Sequence, residues 1–168
     1  MIYNDLKGKT ALVTGAGKKT GIGYAISEKL ASSGCNVIIA DLGMPPAPDG
    51  PLQPVVSEEM EAIASELAKA YAVRTLAVAV DVTDNQAIGV MVETIKKSFD
   101  HIDILCNNAG ASFGVPNTVL GYDEAAWMKT IDVNLFSVFR MSRAVLPLMA
   151  DKPASIINTA SRAGKVPP

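Results

Sequence analysis

Five short apolar runs, each bounded by turn residues, alternate along this chain with stretches whose apolar residues recur at helical spacing. The runs are residues 10–14 (TALVT), 36–41 (NVIIAD), 75–80 (TLAVAV), 102–106 (IDILC) and 154–160 (ASIINTA). The intervening periodicity predicts helices near 21–33, 57–72, 84–99 and 123–149. Short apolar runs separated by helices suit strands buried on both faces, which are parallel strands joined by crossover helices. The order therefore predicts an α/β fold, a Rossmann-like doubly wound parallel sheet of about five strands. With 168 residues and no internal repeat, a single domain over 1–168 is expected.

Between the first run and the first helix lies TGAGKKTGIG, carrying Gly15, Gly17, Gly21 and Gly23. Glycine density by itself fits a surface turn as well as a nucleotide site. Position separates the two readings: the glycines follow a strand and open a helix, and Asp41 closes the next strand 18 residues after Gly23. Glycines let backbone approach a pyrophosphate, the helix N-terminus offers unpaired N–H groups, and a carboxylate about 20 residues on accepts ribose hydroxyls. A dinucleotide site is the expectation. In the first helix, Ile22, Ile26 and Leu30 form a stripe expected to pack on the sheet, and Gly34 suits a left-handed C-terminal cap. In the last helix, Trp127, Ile131, Asn134, Val138, Met141 and Val145 recur at spacings of three and four, which places Asn134 on the buried stripe. Leaving such an amide unsatisfied costs roughly 1–3 kcal/mol, so it is expected to hold backbone or water partners.

Composition narrows the ligand. Apolar residues make up 49% of the chain and charged residues 19%, with a net charge of −2 and no basic run, which argues against nucleic acid or an anionic membrane and for a small molecule. Cys35 and Cys106 sit beside apolar runs and read as reduced, buried thiols, and His101 has no partner at metal-ligand spacing, so no metal is expected. No apolar run reaches spanning length, and MIYNDLKGKT lacks the apolar segment of a signal peptide, so a cytoplasmic location is expected. Residues 43–56 (GMPPAPDGPLQPVV) hold five prolines and two glycines and must form a long loop. A mobile surface insertion is the simpler reading; a flap near the ligand is the alternative, because the loop leaves the carboxyl end of a strand.

TGAGKKTGIG, DVTD (81–84), NNAG (107–110), DVNLFSVF (132–139) and IINTAS (156–161) occur in the order found in short-chain dehydrogenases/reductases, and the chain resembles that family over most of its length. The resemblance implies an NAD(P)-dependent oxidoreductase that interconverts an alcohol and a carbonyl by hydride transfer. It implies that Gly15, Gly21, Ile22 and Gly23 wrap the pyrophosphate, that Asp81 and Val82 meet the adenine, and that Asn108, Ala109 and Gly110 line the ribose side. Asn134 matches the family's catalytic asparagine, linked to a proton relay through water, and Ser161 its catalytic serine, whose hydroxyl donates to the substrate oxygen. The glycine spacing, TGxxxxxGxG, is two residues longer than the usual TGxxxGxG and is similar to the enoyl reductase branch of the superfamily. The extra length leaves Lys18 and Lys19 either over a phosphate or in solvent, and a lysine here sometimes accompanies NADP. Asp41 argues for NAD, since a carboxylate repels a 2′-phosphate.

The family's acid/base tyrosine and lysine, in a YxxxK context, fall beyond Ser161, and the sequence ends at SRAGKVPP; none of Tyr3, Tyr24, Tyr71 or Tyr122 has that context. The chain is similar to the cofactor portion of such a reductase, with the family's last strands absent. Its 168 residues are expected to lack reductase activity alone and to self-associate, as a homo-oligomer, through the open edge SIINTA or the long helix. Two other readings compete. A noncatalytic dinucleotide-binding module fits the literal sequence as well; an S-adenosylmethionine methyltransferase shares the glycine loop and strand-end acid, but NNAG and the Ser161 context count against it.

Overall fold

The computed structural model describes residues 4–43 and 55–161. Most of the proline-rich loop lies outside the described residues, with the choice between insertion and flap, as does 162–168. The elements run β1 (Thr10–Thr14), α1 (Ile22–Ser32), β2 (Asn36–Asp41), α2 (Glu58–Tyr71), β3 (Thr75–Ala79), α3 (Asn85–Lys96), β4 (Ile104–Asn107), α4 (Glu124–Ile131), a π turn (Asp132–Phe136), α5 (Ser137–Met149) and β5 (Ser155–Asn158). All five strands are parallel, in the order β3-β2-β1-β4-β5. The chain winds outward from β1 to β3 and then crosses back to β4 on the other side of β1. That reversal opens a crevice at the carboxyl ends of β1 and β4, where ligands of open α/β sheets bind.

Alternation along β1 explains the two layers of helices. Leu12 joins Ile38, Val78, Leu105, Met91, Ile95, Met141 and Val145 in one core, between the sheet and α3 with α5. Ala11 and Val13 join Val37, Ile39, Ile63, Leu67, Ile104 and Cys106 in the other, between the sheet and α1 with α2. Every residue of β1 is buried, as befits a central strand covered on both faces. β5 is the opposite: each of its residues is exposed, Ile156 by 38% and Ile157 by 48%. β4 begins later than the apolar run predicts, because the Ile102 N–H donates to Leu148 O of α5 instead of joining the ladder (2.9 Å).

Two helical expectations need correction. Of the stripe Ile22, Ile26 and Leu30, the last two are half-buried against the sheet-side core, but Ile22 is 67% exposed, and the fully buried residues of α1 are Gly23, Ser27 and Ala31. The cause is proximity. A Cβ on Gly23 would stand 2.2 Å from Gly15 O, so the line of closest contact along α1 takes small side chains, and Ile26 and Leu30 pack beside it. Gly34 does end the helix with φ +85°, as expected. The predicted helix over 123–149 is interrupted by the π turn, in which the Ser137 N–H reaches Asp132 O five residues back. The extra residue rephases the stripe: Met141 and Val145 are buried, while Trp127 is 54% exposed and Asn134 is exposed. Asn134 is therefore not a buried amide.

Candidate functional site

At the crevice, a cleft of about 760 Å³ opens between the glycine loop, the ends of β2 and β4, and the π turn. Its lining includes Gly15, Lys18, Gly21, Ile22, Asp41, Asp81, Val82, Asn108, Ala109 and Gly110, so residues far apart in sequence converge as the motifs suggest. Gly23 is not among the lining residues. It lies behind the loop, where its missing side chain allows α1 to approach Gly15. Gly15 itself has φ +68°, and a Cβ there would stand 2.8 Å from Ala109 Cα, so only glycine lets the loop turn against β4.

The N-terminus of α1 differs from those of α2, α3 and α4. Ser57, Asp84 and Asp123 cap α2, α3 and α4 through side chains that accept from Met60, Gln86 and Ala126 N–H groups, whereas α1 starts at Gly21 with no side-chain cap. Its first-turn donors and the positive end of its dipole border the cleft. A pyrophosphate fits this cradle of backbone donors and missing Cβ atoms, and the ribose hydroxyls fit Asp41 beside it. Asp41 Oδ2 accepts from Gly17 N–H and Oδ1 from Leu42 N–H, both at 2.7 Å, which fixes the carboxylate while leaving lone pairs for further donors. Asp81 Oδ1 accepts from the Thr83 N–H at 2.8 Å and from its hydroxyl at 2.6 Å, and the capping of α3 falls to Asp84.

The structure separates the two lysines. Lys18 is exposed and lines the cleft, and its ammonium makes no hydrogen bond or ion pair to another described residue. Lys19 turns to α2: its N–H donates to Glu59 Oε1 at 3.1 Å and its ammonium is paired with Glu66. The hydrogen bond to Glu66 holds the Lys19 ammonium above its usual pKa.

A hydroxyl that sequence reasoning passed over ties the site together. Thr14 Oγ1 accepts from the N–H groups of Asn108 and Ala109, each at 3.0 Å, and donates to Cys106 O at 3.3 Å. The Asn108 amide returns to Thr14 O at 3.0 Å, and Thr159 donates to Asn108 Oδ1 at 3.3 Å. Thr14 opens the quoted glycine motif, so its signal was its place there. Phe113, Lys129 and Asp132 also line the cleft. Lys129 lies 4.5 Å from the Phe113 ring centre, and Arg140 pairs with Asp132 at 2.7 Å. Asp132 opens the DVNLFSVF motif; Phe113 and Lys129 carried no sequence signal and meet only through the fold.

Asn134 and Ser161 are not among the cleft's lining residues. Asn134 borders it: the side-chain amide donates to Ala111 O and, at 2.8 Å, to Thr130 O, and its Oδ1 would meet a Cβ placed on Gly110 at 2.7 Å. The expected backbone partners are thus present although burial is not. Ser161 is exposed three residues beyond β5, two beyond the cleft residue Thr159. Cys35 and Cys106 are buried free thiols, each pushed up to about 11 by burial. His101 Nε2 lies 3.8 Å from Asp103, and no cluster of three metal-ligating side chains occurs among the described residues. None of the described helices is long and apolar enough to cross a membrane.

Residues 9–168 match the family model described as short chain dehydrogenase. The chain belongs to that family. The chain is 34% identical over 163 residues to the NADP-dependent 3-hydroxy acid dehydrogenase of Schizosaccharomyces pombe, an alignment covering 95% of the chain and 56% of the relative. Among solved structures it is similar to the L-sorbose reductase of Gluconobacter frateurii complexed with NADPH and L-sorbose, with TM-score 0.80, 28% identity and coverage of 95% of this chain and 55% of that one. An NAD+-bound xylitol dehydrogenase gives TM-score 0.81 at 28% identity, covering 97% and 56%. The chain thus spans a little over half the length of these relatives, one NADP-dependent, one complexed with NADPH and one bound to NAD+.

Proposed function

We propose that the cleft binds NAD(H), and that the chain supplies the cofactor side of an oxidoreductase interconverting an alcohol and a carbonyl. The observation that carries this reading is Asp41, fixed by Gly17 and Leu42 N–H groups at the mouth of the glycine loop. A carboxylate there accepts ribose hydroxyls and repels a 2′-phosphate. The Gly15, Gly21 and Ile22 backbone and the start of α1 hold the pyrophosphate, with Lys18 as its nearest ammonium in the loop. Asp81 and Val82 border the adenine, and Asn108, Ala109 and Gly110 line the ribose side. Gly23 serves by letting α1 come close enough to do this.

When bound, the nicotinamide gives or takes the hydride. Ser161, past the carboxyl end of β5, donates its hydroxyl to the substrate oxygen as charge grows there. Asn134 anchors Ala111 O and Thr130 O beside the cleft and orders the water path by which a proton reaches the substrate. Tyr122 takes no such part, since its hydroxyl donates to Phe113 O at 2.5 Å.

Titration of NADH and NADPH against the fluorescence of the single tryptophan, Trp127, tests the assignment. NADH is expected to bind more tightly, and Asp41→Ala to abolish the preference. A preference for NADPH that disappears in Lys18→Ala overturns the NAD reading. In a preparation that turns over substrate, Ser161→Ala is expected to lower kcat by roughly 100-fold or more with nucleotide affinity unchanged; wild-type turnover removes the catalytic role of Ser161.

A further inference from the structure

The two residues that lengthen the glycine loop sit in a segment fastened to α2 rather than loose over the cleft. Glu59, Ile63 and Glu66 fall at spacings of four and three, on one face of α2, with Ile63 buried against the sheet. The flanking glutamates reach the loop from either side of that anchor: Glu59 accepts the Lys19 N–H at 3.1 Å, and Glu66 pairs with the Lys19 ammonium. The Gly17 N–H is fixed on Asp41 at 2.7 Å, and the Gly21 N–H closes a turn onto Lys18 O at 2.9 Å. The segment 17–21 is thereby pinned at three points, and its remaining ammonium, Lys18, is left to the cleft.

We infer that Lys19, held by Glu59 and Glu66, is a positioning residue for the nucleotide: it latches the lengthened loop to α2 so that Lys18 and the uncapped start of α1 face the cleft. This rests on the cofactor reading above. The latch acts on the pyrophosphate side, common to both nucleotides, so releasing it weakens NADH and NADPH alike. Loss of the exposed Lys19–Glu66 ion pair corresponds to an effect of about two- to five-fold in affinity.

The experiment compares the full chain with Lys19→Ala, Glu66→Gln and the charge-exchanged pair Lys19→Glu with Glu66→Lys. Amide hydrogen exchange of residues 17–21 is followed without nucleotide, and NADH and NADPH affinities are measured alongside. The single variants are expected to exchange faster in this segment, to melt within about 2 °C of the parent as surface substitutions do, and to bind both nucleotides about two- to five-fold more weakly. The exchanged pair is expected to restore both protection and affinity. Unchanged exchange in Lys19→Ala overturns the latch. Loss of affinity that the exchanged pair fails to restore, with protection restored, also overturns it, because the Lys19 charge would then act on the nucleotide directly. A parent that binds neither nucleotide while the variants still lose protection refutes the cofactor reading and the positioning role, and leaves only a structural brace.

Discussion

Replacing Gly23 with alanine probes the close approach of α1 to the end of β1. The new Cβ would lie 2.2 Å from Gly15 O, 2.7 Å from Gly15 C and 2.8 Å from Ala16 Cα, all backbone atoms that cannot swing aside. An ordinary carbon–oxygen contact is roughly 3.3–3.6 Å, so α1 must withdraw from β1 by about 1 Å. Overpacking of this kind costs about 1–3 kcal/mol, and the rigid backbone places this case at the upper end. Alanine's better helix propensity returns about 1 kcal/mol, leaving a net loss near 2 kcal/mol. For a chain of this size that lowers the melting temperature by about 4–8 °C. Withdrawal of α1 also takes its N-terminal donors out of hydrogen-bond range of the pyrophosphate, and losing one such bond corresponds to about tenfold in affinity. Gly89, on the exposed side of α3, is the control: nothing lies within 4 Å of its Cβ position. Gly89→Ala is expected to gain about 0.5–1 kcal/mol and to leave nucleotide binding alone. Thermal melts by circular dichroism with NADH titration read both. A Gly23→Ala protein that melts at or above the parent and binds NADH normally, while Gly89→Ala behaves as expected, refutes the close-packing argument.

Thr14→Val keeps the shape of the side chain but strips the acceptor from the Asn108 and Ala109 N–H groups; a stability loss of about 1–3 kcal/mol is expected in urea denaturation, and an unchanged midpoint would show that water replaces the hydroxyl. Burial raises the Cys35 and Cys106 thiols from 9.0 to about 11, so between those values the folded chain binds more protons than the unfolded one. Stability should therefore fall as pH rises from 9 toward 11, and a Cys35→Ala, Cys106→Ala variant should lose that slope; equal slopes would remove the thiols as its cause. β5, which has no second neighbouring strand among the described residues and exposes Ile156 and Ile157, is expected to drive association of the 168-residue chain, visible by light scattering as mass rising with concentration, and a monomer across the range would refute it.

Local pattern carried the architecture because a strand or helix covered by the sheet must show its period in sequence. The runs TALVT and NVIIAD coincide with β1 and β2, and the turn at Gly34 closes α1 as its type requires. The close turn of the glycine loop was legible because backbone approach needs glycine: a Cβ on Gly15 or Gly23 would meet backbone atoms. Only the tertiary structure decided the rest. That Gly23 serves helix packing while Gly15 and Gly21 line the cleft depends on how close α1 lies to β1, a distance no spacing encodes. Whether Lys18 or Lys19 faces the cleft depends on Glu59 and Glu66 of a helix 40 residues later in the chain. The exposure of Asn134 depends on one extra residue in a helical turn, which shifts the phase of the stripe without altering its letters. Thr14 became a hub because parallel pairing sets the end of β1 beside the end of β4, 92 residues away, and a hydroxyl there can accept two N–H groups at once.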